Sequence, residues 1–279
     1  MNAKDAISAL ARKMRSRKLP SDAVAEGVEW EQRILEATTE MFIPRNRLNE
    51  IPDTVILLLG LPNSLQSKLS KTLRKTKRIG QFRVGTYCDV PIAVVCQSIG
   101  SINTEIILRV LTRTRAKTVI GVGFVGALQN NISIGSFILP TLALRGEGTT
   151  AYYAPQEVQA VPSPMVQTAI ENAMPSDVSF HKGKVFTTAA MIKEEDALIT
   201  RLARDGVLGI ECETSALFLI SKIYGINAGA ILQVTDNPLL KIVWSDPRFK
   251  RELLEGSSQL VRVVYEAAKN LSAKTITRS

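Results

Sequence analysis

The chain has 279 residues, 45% of them hydrophobic, with a net charge of +9, a pI of about 9.6 and a mean hydropathy of +0.08. These totals suit one large α/β domain, or one domain with an extension; no apolar run reaches membrane-spanning length, and no secretory signal is expected. Cys88, Cys96 and Cys212 lie far apart without a CxxC pair, and His181 is the single histidine, so a reducing compartment is expected and no metal site. The basic balance fits an anionic partner such as phosphate or a nucleotide; solubility alone explains it as well.

The opening "MNAKDAISALARKMRSRK" sets Ile7, Leu10 and Met14 on one helical stripe among basic residues. A mitochondrial leader has this look, but Asp5 and the scarcity of serine favour an ordinary amphipathic helix and a cytoplasmic protein. Residues 1–50 read as a helical extension to a domain spanning 51–275. Within the extension Val24, Val28, Leu35 and Phe42 recur at helical spacing, with Ile34 and Met41 beside them, and "IPRNRLNEIPD" is a polar connector. "TVILLLG" predicts a buried strand, and "NSLQSKLSKTLRKTKR" a basic helix carrying Lys68, Lys71, Lys75 and Arg78. "QFRVGTYCDVPIAVVCQSIG" predicts two strands turning at Asp89, and "NTEIILRVLTRT" a helix. "KTVIGVGFVGAL" predicts a strand running into a glycine-rich turn, followed by a strand in "GSFILPTLALRGEG" and a helix over 164–174. "GKVFTTAAMI", "VLGIECE" and "INAGAILQVTDN" predict strands, separated by helices at "EEDALITRLARDG" and from 214 onwards, with a closing helix over 247–270. Strands alternating with helices predict a parallel or mixed sheet, with ligands at the strand ends.

Three stretches carry candidate chemistry. In "GIECETSALF", Glu211, Cys212 and Glu213 sit where a strand gives way to an apolar helix. Carboxylates there stabilise a helix start, and equally accept hydrogen bonds from the vicinal hydroxyls of a ribose. In "ILQVTDNP", Asp236 ends a strand, as a turn former or as a general acid. In "VIGVGFVGALQNN", Gly121, Gly123 and Gly126 let backbone amides approach a ligand, although no acidic residue follows at dinucleotide-binding distance.

Taken in order, "VGFVGALQNNISIGSFILPTLALRGEGTTAYYAP", "GIECETSALF" and "VTDN" resemble the nucleoside phosphorylase superfamily, which includes purine nucleoside phosphorylases, uridine phosphorylases and methylthioadenosine-cleaving enzymes. The likeness spans roughly residues 53–270. It implies a single-domain, three-layer α/β fold, a central mixed sheet flanked by helices. It also implies cleavage of an N-glycosidic bond, a nucleoside as substrate, inorganic phosphate as co-substrate with no other cofactor, and a homo-oligomer: a dimer, trimer of dimers or hexamer. By likeness Glu213 holds the ribose hydroxyls, Cys212 and Glu211 adjoin the sugar, and Asp236 protonates the purine as the bond breaks. Gly123 belongs to the same glycine-rich strand end.

Departures from the family pattern concentrate around phosphate. In the loop Gly60-Leu61-Pro62-Asn63-Ser64, Leu61 stands for an aspartate and Ser64 for the phosphate-binding arginine. Gly121 replaces a second arginine, Phe124 a hydroxyl-bearing residue, and Gln97 a histidine; Met191 and Ile192 replace a Phe-Tyr pair beside the base. Arg78 alone matches an arginine, one that a neighbouring subunit lends to phosphate, and Lys68 is the other cation nearby. Each lost arginine removes bonds of roughly 1.5–3 kcal/mol apiece. Hydrolysis is therefore weighed beside phosphorolysis, with Asn63 or Asn103 to orient water, and a non-catalytic homologue that binds nucleoside or pairs with an active paralogue is the alternative. Asp236 points to a purine. Nucleic acid is not expected as a partner, because the basic stretch has no interleaved aromatics.

Overall fold

The computed structural model describes residues 21–60 and 64–276. The stripe predicted at residues 7–14 and the loop residues Leu61, Pro62 and Asn63 lie outside them. Strand β1 (Thr54–Leu59) is buried along its whole length, and its alternation decides the layering. Val55, Leu57 and Leu59 join one core, while Ile56 and Leu58 join the other. Helices α3 (Gly100–Leu111) and α6 (Thr214–Ile223) cover the first face. The second is covered by α2 (Ser64–Thr72), α4 (Pro164–Asn172) and α7 (Lys250–Ile276). Buried polar side chains pin the layers: the Gln167 amide donates to the Ala230 carbonyl and accepts from its N–H, and the Tyr265 hydroxyl donates to the Leu69 carbonyl. A shorter helix, α5 (Asp196–Arg204), builds a third apolar cluster through Ile199 and Leu202.

The remaining strands are β2 (Arg74–Ile79), β3 (Phe82–Tyr87), β4 (Val90–Ser98), β5 (Thr118–Ala127), β6 (Phe137–Gly146), β7 (Phe180–Thr188), β8 (Val207–Glu211) and β9 (Asn227–Asp236). Their order in the mixed sheet is β2-β3-β4-β1-β5-β8-β7-β6-β9, and β5 also pairs with β9, so five strands close into a ring. Strand β5 is the hinge of this arrangement. Residues 118–122 pair in parallel with β1, Gly126 and Ala127 pair antiparallel with β8, and β9 runs parallel along the other edge.

Two predicted elements come out differently. The glycine-rich run is strand throughout, not a turn at its end. A Cβ on Gly121 would stand 2.4 Å from Leu217 Cδ2, and one on Gly123 2.8 Å from Leu59 Cβ, so these glycines permit close packing. The basic stretch is also not one helix. It leaves the helical state after Thr72 and becomes the edge strand β2, whose Ile79 is buried and whose other five residues are exposed. Its pairing with β3, closed by a turn at Gly80 (φ +55°), overrides the helix propensity of Lys and Arg. Positive charge along a sheet edge also discourages pairing with other chains.

The extension contains the predicted helix, α1 (Ser21–Phe42). Glu31 and Glu36 reach Arg109 (2.7 Å) and Arg113 (3.1 Å) on and just after α3. Leu35 and Phe42 are half-buried, whereas Ile34 and Met41 are exposed. The connector is a 3-10 turn over Arg45–Glu50, held between the fully buried Ile43 and Ile51.

Candidate active site

The carboxyl ends of the paired strands β1 and β4 are where ligands bind in α/β sheets. Gly60 and Gly100 lie there with φ of +91° and +74°, and both face open space. The Gly60 N–H donates to the Ser98 carbonyl at 2.6 Å. The Gly100 N–H, at the start of α3, donates to Glu213 Oε1 at 2.6 Å. Ser101 donates to the Cys212 carbonyl at 2.9 Å, so α3 is tied to the β8–α6 junction at two points.

The two carboxylates of that junction have different surroundings. Glu211 is turned inward. It accepts from the Thr187 hydroxyl (2.5 Å) and from the N–H groups of Glu213 and Thr214 (2.7 Å each), and so takes up orphan donors of α6. Thr187 in turn accepts from the Ser215 N–H at 2.9 Å. Sugar contact, the role the resemblance implies for Glu211, would compete with three internal bonds. Glu213 is 4% exposed and accepts from the Gly100 N–H. Burial, with the Glu211 charge beside it, raises its pKa to about 8. Burial pushes Glu211 upward as well, against the pull of its donors.

Asp236 ends β9, raised in pKa by burial and opposed by the Thr235 hydroxyl, which donates to Oδ1 at 2.7 Å. Gly126 makes room for it: a Cβ there would stand 2.8 Å from Asp236 Oδ2. Glu194, in the turn between β7 and α5, is a site residue that the sequence reading did not single out. Burial and the Asp236 charge raise it to about 7, and its own charge helps to raise the Cys212 thiol, so Glu194 bridges Asp236 and the β8–α6 junction electrostatically. The turn is seated by Leu239 packing in the α5 cluster and by a Lys241–Asp196 ion pair. The "KEED" run around it reads as an ordinary solvated helix start, so only the fold reveals the placement.

The other expected residues are dispersed. Phe124 is half-buried and packs with the core beneath α2, α4 and α7, while Gly121 and Gly123 are buried in β5. Met191 is 49% and Ile192 97% exposed. Ser64 opens α2, and its side chain, like that of Gln97, lies outside those described. Lys68 donates to the Leu254 carbonyl (3.1 Å) and Ser258 Oγ (2.9 Å) on α7, which occupies its ammonium there. Asn103 is half-buried in the first turn of α3. Arg78 stands on the edge strand β2 and donates to the Gly80 carbonyl. Arg145 and Glu147 form an internal network: Arg145 donates to the Thr150, Ala154, Pro155 and Val158 carbonyls, and Glu147 accepts from Ser215 at 3.0 Å. Tyr153 packs edge-on against Tyr224, whereas Tyr152 is 91% exposed.

A family model described as the phosphorylase superfamily matches residues 54–268. The chain belongs to that superfamily. Relatives include a uridine phosphorylase of Thermococcus kodakarensis, 31% identical over 201 residues (65% of this chain and 72% of the relative). A DeoD-type purine nucleoside phosphorylase of Bacillus velezensis is 29% identical over 198 residues (68% and 84%), and a guanosine phosphorylase of Halorubrum lacusprofundi 26% over 186 (65% and 77%). The solved uridine phosphorylase of Vibrio fischeri ES114 superposes with a TM-score of 0.72 at 21% identity, covering 84% of this chain and 99% of that one, which establishes the shared fold. The superfamily's α/β architecture, a central mixed sheet between helices, is the one described above.

Proposed function

We propose that this protein cleaves the N-glycosidic bond of a nucleoside carrying a purine base. The observation that carries the reading is a set of buried carboxyl groups: Glu213, fixed by the Gly100 N–H at the start of α3, and Asp236 at the end of β9, whose charge reaches Glu194. In this reading Glu213 accepts hydrogen bonds from the ribose 2′- and 3′-hydroxyls. Asp236, which burial keeps protonated to higher pH than a free aspartate, donates its proton to the departing base. The C1′–N bond breaks with its electron pair going to the base, and the nucleophile adds at C1′.

Water is the nucleophile these residues favour. The contacts a phosphate dianion needs are the ones that are missing, with Gly121 and Phe124 where the resemblance places phosphate contacts. The relatives' names favour phosphate. The same emptied contacts favour a second reading, a homologue that binds nucleoside without turnover. Homo-oligomerisation belongs to the proposal only through the likeness of Arg78.

The test is to incubate the protein with inosine, adenosine and uridine, each with and without phosphate, and to quantify free base. Release from the purine nucleosides without phosphate is expected. Release that requires phosphate makes the protein a phosphorylase, and preferential release from uridine overturns the purine assignment. Binding without release moves the protein to the second reading.

A further inference from the structure

Helix α1 precedes the residues shared with the superfamily, so the fold of that domain gives no reason for its outer face. Its inner face is accounted for. Thr39 is buried, Leu35 and Phe42 are half-buried, and Glu31 and Glu36 pair with Arg109 and Arg113. Trp30, Ile34, Ala37 and Met41 follow at intervals of four, three and four residues, the spacing of one helical stripe. All four are exposed, Trp30 at 64%. Single exposed apolar residues are ordinary, but an apolar stripe along most of a helix, with a tryptophan in it, calls for something to cover it.

The sequence just before α1 complements that stripe in pattern, charge and register. Ala3, Ile7, Leu10 and Met14 repeat the same intervals of four, three and four. Residues 1–20 hold six cations (Lys4, Arg12, Lys13, Arg15, Arg17 and Lys18) against Asp5, whereas α1 holds six carboxylates against Arg33. Pro20 sets the path. It has no N–H and disfavours the helical conformation at Leu19, so a helix arriving there ends by Lys18, while α1 begins at Ser21. A connection that short makes two helices antiparallel neighbours. Residues equidistant from the turn then meet: Leu10 and Trp30 each lie ten residues from Pro20, Ala3 and Ala37 seventeen, and Ile7 and Ile34 thirteen and fourteen. The other occupants fit less well. The α1 of a second copy would set two acidic helices side by side, and an anionic membrane surface would repel one.

We propose that the outer face of α1 is the docking surface for residues 3–17 of the same chain, folded back as an antiparallel helix with Leu10 on Trp30 and Ile7 on Ile34. The basic residues of that segment then lie along the acidic flank of α1 that carries Glu29 and Glu40. The proposal concerns the extension alone and does not depend on how the candidate active site is used.

Two measurements on the full chain test this. The first is cross-linking in a Cys88→Ser background, which removes the exposed native thiol. Ile7→Cys combined with Ile34→Cys should form an intrachain disulfide on mild oxidation, seen as faster migration on a non-reducing gel. Ile7→Cys combined with Gln32→Cys, which is exposed about half a turn round from Ile34, should not. The second is acrylamide quenching in a Trp244→Phe background, which leaves Trp30 as the single indole. Trp30 should be shielded from the quencher. Leu10→Asp should abolish the shielding, and Ser8→Asp, which brings the same charge off the stripe, should keep it. The proposal is overturned if Trp30 is as open to acrylamide with Leu10 in place as in Leu10→Asp. It is overturned too if cross-linking gives covalent dimers instead of the intrachain product, because a second copy then covers the face. Shielding that arises only on addition of anionic phosphatidylserine vesicles also overturns it and assigns the stripe to a lipid surface.

Discussion

At the scale of single residues, the sequence "ECE" conceals a division of labour. Glu211 is consumed by three internal donors, whereas Glu213, equally buried, accepts from the Gly100 N–H across the β8–α6 junction. With a pKa near 8, Glu213 is mostly protonated at pH 7, so a glutamine in its place keeps the charge state and nearly the shape. Glu213→Gln is therefore expected to melt at or slightly above the wild-type temperature while nucleoside affinity falls at least tenfold, about 1.4 kcal/mol for a lost charge-assisted bond. Calorimetry reads both, and unchanged affinity removes the ribose assignment. Glu213 and Asp236 were legible in the sequence because each stands at or just beyond the end of an apolar strand, where a carboxylate needs a reason to be. Glu194 was not legible, because its neighbours Lys193 and Glu195 are exposed and solvated and only the approach of β9 changes its setting.

Elements decide where those side chains point. The exit of β7 is fastened to the start of α6 by one hydroxyl: Thr187 donates to Glu211 and accepts from Ser215. Thr187→Val leaves a buried carboxylate short of a donor and a buried N–H without an acceptor, an expected loss of about 1–3 kcal/mol in chemical denaturation. Nucleoside affinity should fall with it, because Glu211 holds the Glu213 backbone. Thr187→Ser, which keeps the hydroxyl, should restore both; failure to restore affinity would mean that the bond is structural only. Strand β5 offers a comparison within one element. Alanine at 126 presses on Asp236 Oδ2 and on Pro238 Cδ at 3.1 Å, whereas alanine at 121 meets the movable end of Leu217. Turnover measured beside nucleoside affinity should therefore fall tenfold or more in Gly126→Ala with affinity kept, and Gly121→Ala should lose stability instead. The letters of this run invite a ligand-binding turn, and β2 invites a helix, because local pattern is silent about pairing partners. Strand β5 needs its glycines to meet β1, β8 and β9, and β2 is a strand only because β3 is beside it.

The whole molecule carries these buried carboxylates as a pH dependence of folding. Glu213 at about 8 and Glu194 at about 7 both lie above the ordinary glutamate value of 4.5, and Asp236 is raised too. Between their unfolded and folded values the native state holds more protons than the unfolded chain, so stability falls as pH rises from about 4.5 to 8. The opposite sign belongs to Glu50, lowered to about 2 by Arg47 and Lys77, and to Asp246 and Glu266, lowered by Arg248 and by Lys269 with Tyr87 respectively. Their contributions are present above the unfolded carboxylate range and are lost on acidification. These groups lie at the surface, where salt screens them and each contributes little. The two sets cross in mildly acidic solution, so the melting temperature should peak near pH 5 rather than at the pI of about 9.6. The alkaline limb should be the steeper, with each buried group contributing up to about 1.4 kcal/mol per pH unit while it titrates. Glu213→Gln should flatten that limb between pH 6 and 8, roughly the interval in which Glu213 gives up its proton. A ligand whose hydroxyls favour the ionised carboxylate should oppose the same limb and release protons on binding near pH 7, visible as a dependence of the calorimetric heat on the buffer. A limb unchanged in Glu213→Gln would place the proton on another group and leave Glu213 ionised in the folded chain.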